Sequence, residues 1–165
     1  MSQAIAFYAR TSLLHPDGLE QQLAALHAYA AAQGWPAEAA ALYIDERVTD
    51  GDLDRPGLNR LRDAVRQGAV ATVVAEETAT FTQFAGGLLA LEEELAAHGA
   101  TVVYARMTDA ELARVRASQA RLRDPQTGAL AQFKEAIAKA DHRQYMERVA
   151  AGFESDDEIA LAEAG

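Results

Sequence analysis

Four short apolar runs, separated by stretches of helical periodicity, constrain this chain more than any other feature. The runs are Ala4–Tyr8, Ala39–Asp45, Val70–Ala75 and Thr101–Ala105. Between the first two, Leu19, Leu23, Leu26 and Ala30 recur at helical spacing, which predicts a helix over Leu19–Gln33. Leu58, Leu61 and Val65 predict a second, with Pro56 in its first turn and Asp54 as candidate N-cap. Phe84–His98 predicts a third, and Gly34, Gly68 and Gly99 close the three in turn. Strands that alternate with helices of about ten to fifteen residues imply right-handed crossovers and a parallel sheet. The predicted class is α/β: a three-layer domain with a mostly parallel four- to five-stranded sheet flanked by helices, plus a long C-terminal helix.

The last third carries no further strand pattern. Asp109–Leu122 predicts a helix that is locally basic, with Arg106, Arg114, Arg116, Arg121 and Arg123 set against Asp109 and Glu111. It reads either as a surface helix or as one that docks an acidic surface, such as DNA or the acidic end of another subunit. Asp124-Pro125 breaks it. Gly128–Ala151 then predicts a long helix with Leu130, Phe133, Ile137, Tyr145 and Val149 as apolar positions. A helix of that length after a finished sheet points to packing against a partner chain. The organisation expected is an α/β domain over 1–107, a helical extension over 108–152, and an acidic, disordered tail over 153–165.

The chain carries a formal charge of −10, which argues against tight unassisted DNA binding while leaving room for a local patch. It has no cysteine, so disulfides, thiolate chemistry and cysteine-ligated zinc are excluded. Neither a membrane span nor a signal peptide is read, and a cytoplasmic location is expected. His15, His27, His98 and His142 are scattered, so no metal site is expected, and no cofactor. Glu92-Glu93-Glu94 reads as a solvated helix face, Glu76-Glu77 as a solvated strand end, and Tyr29 and Trp35 as core.

The candidate site lies where the first strand stops. Tyr8-Ala9-Arg10-Thr11-Ser12 delivers a hydroxyl and a guanidinium two residues apart. In an open α/β sheet, ligands bind outside the carboxyl ends of the strands. Ser12 there suits a nucleophile and Arg10 suits a phosphate. The bland readings are a turn serine, a surface arginine and, for Arg55, a structural partner of Asp45 or Asp54.

Three segments in order, Tyr8–Ser12, Leu19-Glu20-Gln21-Gln22 and Asp54-Arg55-Pro56-Gly57-Leu58, resemble the catalytic domain of the serine recombinases, the resolvases and invertases. Val70–Ala75 looks like that family's third strand, Leu91–Leu95 with His98-Gly99 like its next helix, and Gly128 through Glu147-Arg148 like its oligomerisation helix. The likeness covers roughly residues 4 to 152. It implies a serine that attacks a DNA phosphodiester without metal or nucleotide, a phosphoserine intermediate, and strand exchange within a tetramer. By this resemblance Ser12 is the nucleophile, Arg10 and Arg55 hold the phosphate, and Gln22 is a supporting polar residue. Arginine forks suit that role because the transition state concentrates negative charge on the phosphoryl oxygens.

The likeness then fails at one place. Where the family carries an Asp-Arg pair and a second arginine three residues on, this chain has Ala79, Thr80 and Gln83. Phe81 keeps the apolar position between them. Losing one preorganised oxyanion donor costs about 2.7–4 kcal/mol of barrier. The resemblance thus implies an impaired site, unless Arg60, Arg62 or Arg106 substitutes. Family members usually continue into a helix-turn-helix domain, whereas this chain reads Glu154-Ser155-Asp156-Asp157-Glu158, and no sequence-reading module is expected. The functional expectation is an oligomerising interaction or regulatory module linked to DNA recombination. The alternatives are an active or partner-assisted recombinase or nickase using Ser12, and a binder of phosphorylated small molecules using Arg10 and Arg55.

Overall fold

The computed structural model describes residues 4–49, 53–124 and 129–150. Gly128, Ala151 and the tail 153–165 lie outside the described residues, as do the side chains of Leu130, Phe133, Tyr145 and Val149. The strands are β1 (Ile5–Ser12), β2 (Ala41–Val48), β3 (Thr72–Ala75) and β4 (Thr101–Tyr104). The helices are α1 (Leu19–Ala32), α2 (Pro56–Arg66), α3 (Ala85–Ala97), α4 (Asp109–Leu122) and α5 (Ala129–Ala150). One-turn helices at Ala37–Ala39 and Thr78–Thr80 complete the path.

All three strand pairings are parallel, in the order β2-β1-β3-β4. Alternation along β1 sorts its side chains to two faces. Ile5 and Phe7 join Leu26 and Ala30 of α1 and Val74 of β3. Ala6 and Tyr8 join Leu58, Leu61 and Val65 of α2, Leu88, Leu91 and Leu95 of α3, and Ile137 of α5. Tyr29 and Trp35, rings edge to face at 5.9 Å, pack against the α1 side as core.

The strand order fixes where a site can form. From β1 the chain crosses to β2 on one side, and later returns to lay β3 and β4 on the other. The reversal leaves a crevice at the carboxyl ends of β1 and β3, where adjoining loops diverge.

The structure corrects several boundaries. β1 does not stop at Tyr8 but runs on to Ser12, and β2 runs to Val48. Polar residues continue both strands because their backbones stay paired, Arg10 with Asp45 and Ser12 with Val48. Two steps on β1 match three on β2, so β2 carries a bulge there, and Arg47 takes a left-handed φ of 55°. Asp54 is not the cap of α2. Arg55 holds the N-cap position, Asp54 accepts from the Asn59 amide, and Asp45 on β2 binds the helix N-terminus instead. Gly57 permits this approach, since a Cβ there would stand 2.6 Å from the Ile44 carbonyl oxygen.

The Glu92-Glu93-Glu94 run is not a solvated face. Glu92 accepts from the Tyr104 hydroxyl at 2.6 Å and pairs with Arg116. Glu93 pairs with Arg123 at 3.1 Å and Lys134 at 3.0 Å. Glu94 pairs with Arg62 at 2.9 Å and Arg66 at 2.7 Å, and both arginines also reach Asp141 of α5 at 3.0 Å. Sequence periodicity places these carboxylates on α3, but only the tertiary packing of α2, α4 and α5 supplies their cations.

Candidate functional site

A cavity of about 550 Å³ opens in that crevice. The end of β1 and the turn after it supply Arg10, Ser12, Leu13, Leu14 and His15, and α1 supplies Gln22. The end of β2 gives Val48 and Thr49, and the segment after β3 gives Glu76, Glu77, Ala79, Thr80 and Gln83. The structure therefore brings together six of the seven residues singled out from sequence: Arg10, Ser12, Gln22, Ala79, Thr80 and Gln83. Arg55 is not among the described residues that line the cavity.

Each group is held by a definable contact. Ser12 Oγ accepts a hydrogen bond from the His15 backbone N–H at 3.0 Å, which orients the hydroxyl at the mouth of the turn. Gln22 brackets Arg10 by its backbone: its Oε1 accepts from the Arg10 N–H at 3.2 Å and its Nε2 donates to the Arg10 carbonyl at 2.7 Å. The Arg10 guanidinium reaches across to the β3 side. Its Nε donates to the Thr80 carbonyl at 3.0 Å and its Nη2 to the Ala79 carbonyl at 2.9 Å. The positions where the resemblance places an aspartate and an arginine thus present backbone oxygens to this arginine.

Thr80 is buried and takes part in a capping box. Its Oγ1 accepts from the Glu77 N–H at 3.3 Å, and the Glu77 carboxylate accepts from the Thr80 N–H. Gln83 is exposed at the rim. Glu76 does not stand as a bare strand-end carboxylate, because Arg106 pairs with it at 2.8 Å. Among the described lining residues, Arg10 is the only arginine or lysine, against two glutamates.

Arg55 sits 2% exposed behind the site. Its Nη1 donates to the Tyr8 hydroxyl at 3.3 Å, and that hydroxyl donates to Asp45 Oδ2 at 2.9 Å. Asp45 also accepts from the Gly57 N–H at 2.7 Å and the Leu58 N–H at 2.8 Å. Burial is the main reason the Tyr8 phenol is pushed far above its ordinary value, and Asp45 adds to it while Arg55 offsets part. Phe81 stacks on Tyr8 at 5.1 Å, tying the post-β3 segment to this network. Of the other arginines proposed as substitutes, Arg62 is committed to Glu94 and Asp141, Arg60 is exposed on α2 and does not line the cavity, and Arg106 stands beside the cavity paired with the lining Glu76.

Sequence reasoning missed the lining by Leu13, Leu14, His15, Val48 and Thr49. It also missed Thr11, whose Oγ1 accepts from the Arg47 N–H at 3.0 Å and pins the β2 bulge beside the site. Proximity to Ser12 could have flagged the first three. The β2 pair and the bulge depend on strand register, which the sequence does not display. No group of acidic or histidine side chains placed to hold a metal occurs among the described residues, and no described helix is long and apolar enough to cross a membrane.

A parallel sheet in the order 2-1-3-4, with a serine and an arginine at the switch point, defines a doubly wound α/β domain with its candidate site at the strand reversal. The sequence matches the family described as "Resolvase, N terminal domain" over residues 5–158, and the chain belongs to that family. Solved structures share the fold. The N-terminal catalytic domain of TP901-1 integrase superposes with a TM-score of 0.60 at 19% identity, covering 72% of this chain and 93% of that one. A resolvase family site-specific recombinase from Streptococcus pneumoniae gives 0.55 at 15% identity, over 92% and 95%. The C-terminal catalytic domain of ISC1926 TnpA, an IS607-like serine recombinase, gives 0.52 at 22% identity, over 82% and 99%. No match is found among curated proteins.

Proposed function

We propose that this chain is a serine-recombinase catalytic-domain homologue impaired in DNA strand cleavage, acting as an oligomerising interaction or regulatory module in DNA recombination. One observation carries the reading. The cavity around Ser12 has a single arginine among its described lining residues, and that guanidinium is turned onto the Ala79 and Thr80 carbonyls. A metal-free attack on a phosphodiester needs several cations around the developing charge. Here the opposite wall carries Glu76 and Glu77. A phosphate entering would meet one cation already engaged, the Glu77 carboxylate, and a Glu76 carboxylate already paired with Arg106.

The competing reading, an active or partner-assisted recombinase, is favoured by the convergence of Ser12, Arg10 and Gln22 on the same cavity. In it, Ser12 Oγ attacks the phosphorus, a phosphoserine bond forms and the 3′ oxygen leaves. Incubation with supercoiled DNA, followed by denaturing gels for a covalent protein–DNA adduct, separates the two. The impaired reading expects no adduct. An adduct that disappears in Ser12→Ala overturns it. Light scattering after size exclusion tests the association half: the proposal expects a dimer or tetramer through the helix 128–151, and a strict monomer at tens of micromolar removes it.

A further inference from the structure

We propose that α4 is an electrostatic clasp that a DNA phosphate backbone opens, a surface separate from the Ser12 cavity and independent of its chemistry. The basic residues of this helix and of its C-cap fall into two rows, each with a spacing of two turns. Arg116 and Arg123 turn toward α3 and pair with Glu92 and Glu93. Arg114 and Arg121 lie on the exposed part of the same helix, with Arg121 Nη2 touching only the Ser118 hydroxyl, at 3.4 Å, among the contacts described. Lys134 of α5 joins the first row by pairing with Glu93 at 3.0 Å.

Little apolar burial holds α4 in place. Gln119 is the only buried residue on it, and Leu112 and Val115 are partly buried. What remains is ionic and wet: Arg116 is 48% exposed, and Arg123 and Lys134 are each 55% exposed. Such exposed pairs are weak and screened by salt. The two cations outweigh the effect of burial on Glu93 and hold its carboxyl below its ordinary value, so it stays ionised and the clasp stays charged at neutral pH.

The same cations suit a different acceptor. The three basic residues of α4 and Arg123, which caps its C-terminus, are all arginines, whose planar forks pair bidentately with phosphate. The helix is roughly 20 Å long, a length that meets several successive phosphates of one DNA strand. A chain with a net charge of −10 repels DNA at long range, so this patch works only near contact, where screening limits the field of the distant carboxylates. Phosphates would engage Arg114 and Arg121 first and then compete with Glu92 and Glu93 for Arg116, Arg123 and Lys134. Binding therefore loosens α4 from α3.

The test is the affinity of the full chain for a random-sequence 30-bp duplex by fluorescence anisotropy, over a salt series, with heparin as a second probe. Removing the internal competitor with Glu92→Gln/Glu93→Gln is expected to tighten duplex binding about three- to tenfold. Glu93→Gln alone keeps the Tyr104–Glu92 contact and serves if the double variant misfolds. Arg114→Gln/Arg121→Gln is expected to weaken binding and to flatten the slope of log K against log salt by about 1.8. The proposal is overturned if the glutamine variants bind no more tightly than the parent, if Arg114→Gln/Arg121→Gln binds the duplex unchanged, or if heparin binds and the duplex does not.

Discussion

Asp45→Asn tests the network that organises the ends of β1, β2 and α2. The carboxylate is 4% exposed and accepts three hydrogen bonds, from the Gly57 and Leu58 N–H groups and the Tyr8 hydroxyl. Asparagine keeps the volume but turns one acceptor into an NH₂, which must face a donor. Losing one charge-assisted bond in a buried setting costs about 1.5–3 kcal/mol. Removing the negative charge from the α2 N-terminus costs about 0.3–2 kcal/mol more. The Arg55 guanidinium, buried on the same phenol, loses a nearby countercharge, so a total of about 3–5 kcal/mol is expected. Against a domain stability of about 5–15 kcal/mol, that is a large fraction. Urea unfolding followed by circular dichroism reads it as a midpoint lowered by about 1–3 M at unchanged slope. A cycle with Tyr8→Phe is expected to show coupling of at least about 0.5 kcal/mol, because the two side chains share one hydrogen bond. A loss below about 1 kcal/mol, or strict additivity, would refute the reasoning.

Gly57→Ala is expected to cost about 1–3 kcal/mol, because the new methyl meets the Ile44 carbonyl and the Asp45 carboxylate, neither of which is a flexible chain end; a thermal melt within a degree of the parent would contradict this. Tyr8 and Tyr104 both have phenols raised above their ordinary value of 10.0, chiefly by burial. Folding favours their protonated forms, so the stability they contribute is complete below pH 10 and falls as pH rises beyond it. Phenolate absorbance should show these two tyrosines ionising only on alkaline unfolding, and early ionisation of all the tyrosines would count against their burial. Arg62→Ala leaves Glu94 and Asp141 without their most buried partner, 1% exposed, and is expected to destabilise by about 3–5 kcal/mol in a denaturant titration; a neutral outcome would mean that Arg66 alone satisfies both carboxylates. Ala79→Asp/Thr80→Arg/Gln83→Arg should raise DNA cleavage above the parent if missing cations are the cause of impairment, and adduct assays with folding checked by circular dichroism would show it; a folded variant that still forms no adduct places the cause elsewhere.

The sequence alone carried the alternation of apolar runs and helical stretches, because strand and helix periods are local properties of the chain. It therefore determined the α/β class, the helices from Leu19 to Leu122 within a few residues, and the position of Ser12 and Arg10 at a strand end. It also showed that Ala79, Thr80 and Gln83 are not cations, since residue identity needs no fold. The strand order 2-1-3-4, which makes the crevice, was decided only in three dimensions. So was the separation of Arg55 from the cavity, because a guanidinium three residues from a helical leucine can face either way until the Tyr8 hydroxyl claims it. The three glutamates of α3 illustrate the same limit. Along the chain they look like a solvated run, yet their cations come from α2, α4 and α5, brought near by packing of apolar faces rather than by any nearby sequence signal.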